Sequence, residues 1–140
     1  MADHGVAEGL ALERVIAIAD FRAALRVFLR HSERAARRNG LTPQRHLLLL
    51  MIKGAGDGSE QLTVGAAAER LQLGPSTTTE LVDRTEDVGL VRRERSSEDG
   101  RVVYLRLTNE GERRLAAVLD ELESDRRELQ QALRAVTRSF

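Results

Sequence analysis

Residues Leu62–Leu115 read LTVGAAAERLQLGPSTTTELVDRTEDVGLVRRERSSEDGRVVYLRLTNEGERRL, and the order of breakers and periodicities in this stretch decides the fold. Leu62-Thr63 opens a helix with Thr63 as its cap. Val64, Ala67, Ala68 and Leu71 recur at helical spacing, and the pattern ends near Leu73-Gly74. Pro75 follows after a turn of three or four residues and takes the first position of a second helix. That helix turns Leu81, Val82 and Thr85 inward and stops at Gly89. Leu90–Arg95 and Val102–Leu107 then read as strands about the turn Ser96–Gly100. In the second strand Val103, Leu105 and Leu107 face one way and Val102, Tyr104 and Arg106 the other.

Upstream, Thr42-Pro43 is an N-cap followed by a proline at the first helical position. The helix from Pro43 to about Gly54 is apolar nearly all round and is expected to be buried. GAGDGSEQ, Gly54–Gln61, is a turn-rich loop. From about Leu10 to Asn39 the pattern is helical, with Phe21, Leu25, Phe28 and Leu29 on one face, and Asn39-Gly40 ends it. Arg22, Arg26, Arg30 and Arg34 line a neighbouring face, where acids of the last helix such as Glu121, Glu123 and Asp125 are the expected partners. Residues 1–9 read as a short flexible tail without the basic start of a signal peptide. Downstream, Thr108 caps a long last helix. Leu115, Leu119, Leu122, Leu129, Leu133 and Val136 follow a 4-3 spacing interrupted only by Arg126, which is a seam of coiled-coil type.

The bulk composition bounds the rest. With 140 residues, 41% hydrophobic and 31% charged, the chain suits one globular domain with a modest core. Aromatics are 3% with no Trp, so that core must be aliphatic. The absence of Cys excludes disulfides, cysteine metal sites and thiol chemistry. No apolar run approaches the ~20 residues of a membrane span, and the cytoplasm is the expected compartment. Net charge is zero, but its distribution is uneven. Asp20–Asn39 carries six Arg against two acids, and Val88–Arg106 five Arg against three. His31 and His46 read as ordinary helix residues. There is no nucleophile–base pair, phosphate loop or metal-ligand spacing, so neither an enzyme nor a cofactor or metal is expected.

Two short helices joined by a tight turn, followed at once by a hairpin, make a winged helix-turn-helix. The expected fold class is mostly α with a small β-hairpin wing (α+β). The second helix fits the ~12 Å major groove with its N-terminal residues at base edges. Here those residues are Ser76, Thr77, Thr78 and Thr79, with Arg84 two turns on. Arg92, Arg93, Arg95 and Arg101 on the hairpin would reach the neighbouring minor groove or phosphates, with one stem arginine turned inward or paired with Glu94 or Glu98.

The motifs VDR (Val82–Arg84), GLVRR (Gly89–Arg93), the wing-tip DGR (Asp99–Arg101) and LT-x-x-G (Leu107–Gly111), with LTPQRHLLL upstream (Leu41–Leu49), resemble the MarR family of bacterial transcriptional regulators. The resemblance implies an N-terminal dimerisation helix over 10–40, a winged helix-turn-helix DNA-binding domain over 41–108 and a C-terminal dimerisation helix over 109–140. It implies a homodimer reading a pseudo-palindromic operator in double-stranded DNA, most often as a repressor, with a small-molecule effector that releases it or with no effector at all. It also implies that Asp99 pairs with an arginine to stiffen the wing while Arg101 enters the minor groove. Three residues depart from the family pattern. Glu80 stands where a basic or neutral residue is common, and Asp87 and Val88 where lysines are common. An acid at Glu80 would repel phosphate or accept from a cytosine amino group, and Glu80, Asp87 and the zero net charge favour the competing reading, a winged-helix protein-interaction module that does not read DNA.

Overall fold

The computed structural model describes residues 11–140, and the expected tail over residues 1–9 lies outside them. The chain runs α1 (Leu12–Arg38), α2 (Pro43–Lys53), α3 (Val64–Leu71), α4 (Pro75–Asp87), β1 (Val91–Arg95), β2 (Val103–Leu107), α5 (Asn109–Glu121) and α6 (Glu123–Ser139). It is mostly helical with one antiparallel hairpin, as the residue pattern requires. The residues divide into two compact units, Ala35–Asp120 and the chain up to Arg34 with Glu121–Phe140. The division falls inside α1 and beside the break between α5 and α6.

Local chemistry sets the elements of the first unit. Thr42 caps α2 by accepting from Arg45 N–H at 3.1 Å, with Pro43 behind it. Thr63 caps α3 in the same way, accepting from Ala66 N–H at 3.1 Å. At the end of α3, Gln72 takes a left-handed conformation (φ 56°), and its N–H donates to Glu69 O while Leu73 N–H donates to Ala68 O. This paired closure satisfies the last carbonyls and reverses the chain within three residues, Gln72–Gly74, so that α4 starts at Pro75. In the hairpin Val91 pairs with Leu107 and Arg95 with Val103. Leu62 adds a single bridge to Leu105, its N–H donating to Leu105 O at 3.3 Å and its carbonyl accepting from Leu105 N–H at 2.7 Å. The core beneath is aliphatic: Leu48, Leu49, Ile52, Ala67, Val82, Leu90 and Leu105 are all fully buried. The chain's one lysine, Lys53, ties the end of α2 to Glu60 at 2.7 Å and to Glu112 of α5 at 2.8 Å.

His46 is buried with that core, and its Nδ1 has no hydrogen-bond partner. Burial disfavours the charged imidazolium and lowers the pKa below the ordinary value of 6.5. A lowered folded-state pKa means that the unfolded chain binds the proton more readily, so stability is retained above pH 6.5 and lost as the pH falls below it. His46→Leu removes both the unpaired nitrogen, which costs ~1 kcal/mol or more, and the titration. Thermal melts between pH 7.5 and 5.5 are expected to fall more steeply for the wild type than for this variant; parallel curves would exclude the account.

The expected continuous last helix is interrupted. At Leu122 the backbone leaves helical geometry (φ −95°, ψ 8°) and α6 begins anew, with Leu122 O accepting from Arg126 N–H at 2.9 Å. The leucine spacing serves two purposes. Leu115 and Leu122, both 3% exposed, are core residues of a single chain, together with Val118 between them, and not members of a free dimer seam. Leu119 and Leu129 are half-buried, as is Val136, and Leu133 is exposed.

In the second unit α6 lies along α1. Phe21 and Phe28 of α1 and Leu129 and Leu133 of α6 line an open groove of about 580 Å³. Arg14 Nε donates to Ser139 O at 2.9 Å, and its guanidinium sits 5.0 Å from the centre of the Phe140 ring. Two of the carboxylates expected to pair with the α1 arginine stripe have other partners. Glu123 accepts from Arg127 at 3.1 Å, and Asp125 meets His31 Nδ1 at 2.5 Å. The α1 side chains of Leu12, Val15, Ile16, Ile18, Val27 and Leu29 are exposed.

Candidate nucleic-acid interface

Helix α4 shows how one short sequence is partitioned between core and surface. Thr78, Val82 and Thr85 recur at i, i+4 and i+7 and are fully buried. This corrects the expectation for Thr78. Its hydroxyl donates to Gly74 O at 2.9 Å inside the fold and cannot meet a base. Ser76, Thr77, Thr79 and Arg84 stay exposed on α4, where a groove-entering helix needs them. Arg84 is not free: its Nη2 donates to Glu80 Oε1 at 2.5 Å. Across the whole helix there are four acids (Glu80, Asp83, Glu86, Asp87) and one base, Arg84.

The imbalance is partly relieved from the hairpin. Alternation in β1 puts Arg93 on the same face as buried Val91, and its guanidinium donates to Asp83 Oδ1 at 2.8 Å and to Glu86 Oε1. The hydrogen bond to Asp83 is the main cause of a raised pKa for Arg93, with the charge of Glu86 adding to it. Arg93 thus braces β1 against α4. Arg92 is held on the other face, donating to Glu94 Oε2 at 3.1 Å and to Leu107 O at 3.1 Å. Arg95 donates to Gly100 O across the turn. The expected stem pairing with Glu94 is made by Arg92, while Arg93 finds its partners on α4.

At the wing tip Ser96 Oγ accepts from the N–H groups of Glu98 and Asp99 at 3.1 and 3.2 Å, which shapes the turn. Asp99 Oδ1 accepts from Arg101 N–H at 3.0 Å and from Arg101 Nε at 3.2 Å. The backbone bond is the larger cause of a lowered pKa for Asp99, and the side-chain bond the second. The arginine that Asp99 holds is Arg101 itself, whose side chain is 91% exposed. The carboxylate thus holds the guanidinium of a wing-tip arginine that projects into solvent.

Sequence reading passed over a further edge. Thr42, Gln44 and Arg45 at the start of α2 face Thr77, Glu80, Leu81 and Arg84 of α4 across a cleft of about 320 Å³. The signal was present in Thr42-Pro43, since a capped helix start places the next residues beside free N–H groups suited to phosphate.

Comparison with known proteins places this geometry. A MarR family model matches residues 39–102. The structure of a MarR family protein from Bacillus stearothermophilus matches with a TM-score of 0.67 at 31% identity, over 89% of this chain and 83% of that one. The chain belongs to the MarR family. Among curated MarR-type relatives, the HTH-type transcriptional repressor MdtR of Bacillus subtilis (strain 168) is 35% identical over 82 residues, 59% of this chain and 50% of that protein. The chain spans about half the length of the curated relatives it matches. Reduced AbfR, solved bound to DNA, matches with a TM-score of 0.56 at 27% identity, over 74% of this chain and 69% of that one. No helix among the described residues is long and apolar enough to cross a membrane.

Proposed function

We propose that this MarR-family chain is a homodimeric, sequence-specific regulator that binds a pseudo-palindromic operator, acts as a repressor, and is released by a small ligand. The observation that carries the DNA reading is the pairing of an exposed hydroxyl and arginine edge on α4 (Ser76, Thr77, Thr79, Arg84) with a wing whose Arg101 projects, aimed by Asp99. The DNA-bound state of AbfR supports it, and the repressor role rests on the name of MdtR. The dimer is supported by exposed Leu12, Ile16, Leu29 and Leu133 on α1 and α6, apolar surface that a second copy would remove from water. A ligand that changes the separation of the two recognition helices would prevent both from entering successive grooves.

Selection from a random double-stranded DNA pool at ~150 mM salt is expected to enrich an inverted repeat. Its half-sites should lie about one turn, ~34–36 Å, apart. Arg101→Ala is expected to weaken binding to every sequence by about tenfold and to flatten the slope of log affinity against log salt by about 0.9, one phosphate's worth. An unchanged slope would remove Arg101 from the interface. The second reading, a protein-interaction module, is favoured by Glu80 and Asp87 on exposed α4. It takes over if no repeat is enriched and binding is weak and indifferent to sequence.

A further inference from the structure

We infer that Glu80, held by Arg84, reads a base: it selects cytosine at one position in each half-site, and Arg84 takes a guanine beside it. The inference rests on the DNA reading above and gives that reading its base preference. At 3.6 residues per turn, burial of Thr78, Val82 and Thr85 turns Ser76 and Glu80 directly away from the core. Glu80 lies five residues after Pro75, ~7.5 Å from the helix start, within the first turns that a recognition helix presents to base edges. The other acids of α4 divide differently. Asp83 and Glu86 share the pairing with Arg93, and Asp87 closes the helix. Glu80 alone is both central on the outward face and joined to the helix's only arginine.

The chemistry of the groove then narrows the choice. An ionised carboxylate only accepts hydrogen bonds. The major-groove edges offer two donor groups, the N4 amine of cytosine and the N6 amine of adenine, and in adenine the donor sits beside the N7 acceptor, which repels a carboxylate. Cytosine's own ring carries only C5–H beside its amine, and the O6 acceptor across the pair is one that an arginine can take. The guanidinium of Arg84 has five N–H donors, of which one serves Glu80 at 2.5 Å, leaving enough for O6 and N7 of guanine. The side chains of Glu80 and Arg84 are 62% and 66% exposed, so neither is committed to the interior. Joined in this way, the acid approaches the duplex without presenting an uncompensated negative charge to the phosphates.

The test is selection and sequencing from a random duplex pool with the wild type, Glu80→Gln and Glu80→Ala, with circular dichroism melts to check folding. The wild type is expected to favour cytosine at one position of each half-site by about tenfold. Glu80→Gln, whose amide pairs with N6 and N7 of adenine, should move that preference to adenine, and Glu80→Ala should abolish it while raising affinity for unrelated sequences. A residue that only braces the helix would change affinity for all sequences alike and move no base preference. An enriched repeat with the same bases in all three proteins overturns this inference alone. No enriched repeat from the wild type overturns the DNA reading and the inference with it.

Discussion

Gly111→Ala is expected to destabilise the protein by about 3 kcal/mol and to lower its melting temperature by roughly 10 °C. The sign is diagnostic, because Gly111 lies in the first turn of α5, where alanine is the better helix former by ~1 kcal/mol. Packing overrides propensity. Thr108 N–H donates to Leu90 O at 3.1 Å, Thr108 Oγ1 donates to Gly89 O at 2.7 Å, and the same Oγ1 accepts from Gly111 N–H at 3.1 Å. These bonds draw the start of α5 onto the Gly89–Leu90 backbone so closely that a Cβ on residue 111 would strike the Leu90 carbonyl. A backbone carbonyl cannot swing aside as a side chain can. Gly65→Ala in α3 is the control, since its Cβ would meet nothing nearer than Thr63 Oγ1 at 4.0 Å, and it should be neutral or stabilising by up to ~1 kcal/mol. Equal melting temperatures for the two variants would contradict this account of the LT-x-x-G motif.

Arg93→Ala is expected to weaken operator binding by roughly tenfold or more, without the loss of salt slope predicted for Arg101→Ala. Arg93 binds Asp83 and Glu86, so its removal deprives both acids of their partner and adds one net negative charge beside the helix that would enter the groove. The slope should hold because no phosphate contact is lost. Asp83→Asn in the Arg93→Ala background should restore part of the affinity, since it deletes one of the stranded charges. The direct effect on stability should be modest, because the three side chains are partly exposed and such pairs contribute ~1 kcal/mol or less. A slope that falls by one unit, with no rescue by Asp83→Asn, would instead place Arg93 on the DNA.

The hairpin and the helix starts were readable residue by residue. Proline at 43 and 75, threonine caps at 42 and 63 and strict alternation from Val103 to Leu107 each act on the chain locally, so their meaning does not depend on distant packing. The inward turn of Thr78 was also readable in principle, since it shares the helical phase of Val82 and Thr85. Four consecutive hydroxyl residues obscure that phase because they differ so little in polarity.

Other assignments required knowing what lies across the fold. The side on which Arg93 falls follows from strand alternation, but its partners do not, because Asp83 and Glu86 reach it only once α4 has packed against β1. The seam from Leu115 to Val136 has one spacing and two environments. Leu115 and Leu122 enter a core and Leu133 stays in water, with no proline or glycine to mark the break at Leu122. Local rules of capping, breaking and alternation therefore set most of the elements and their order from the residues alone. The division of those same residues between core, brace and exposed edge came from packing, because burial and ion pairing are properties of two surfaces that meet and neither surface encodes them alone.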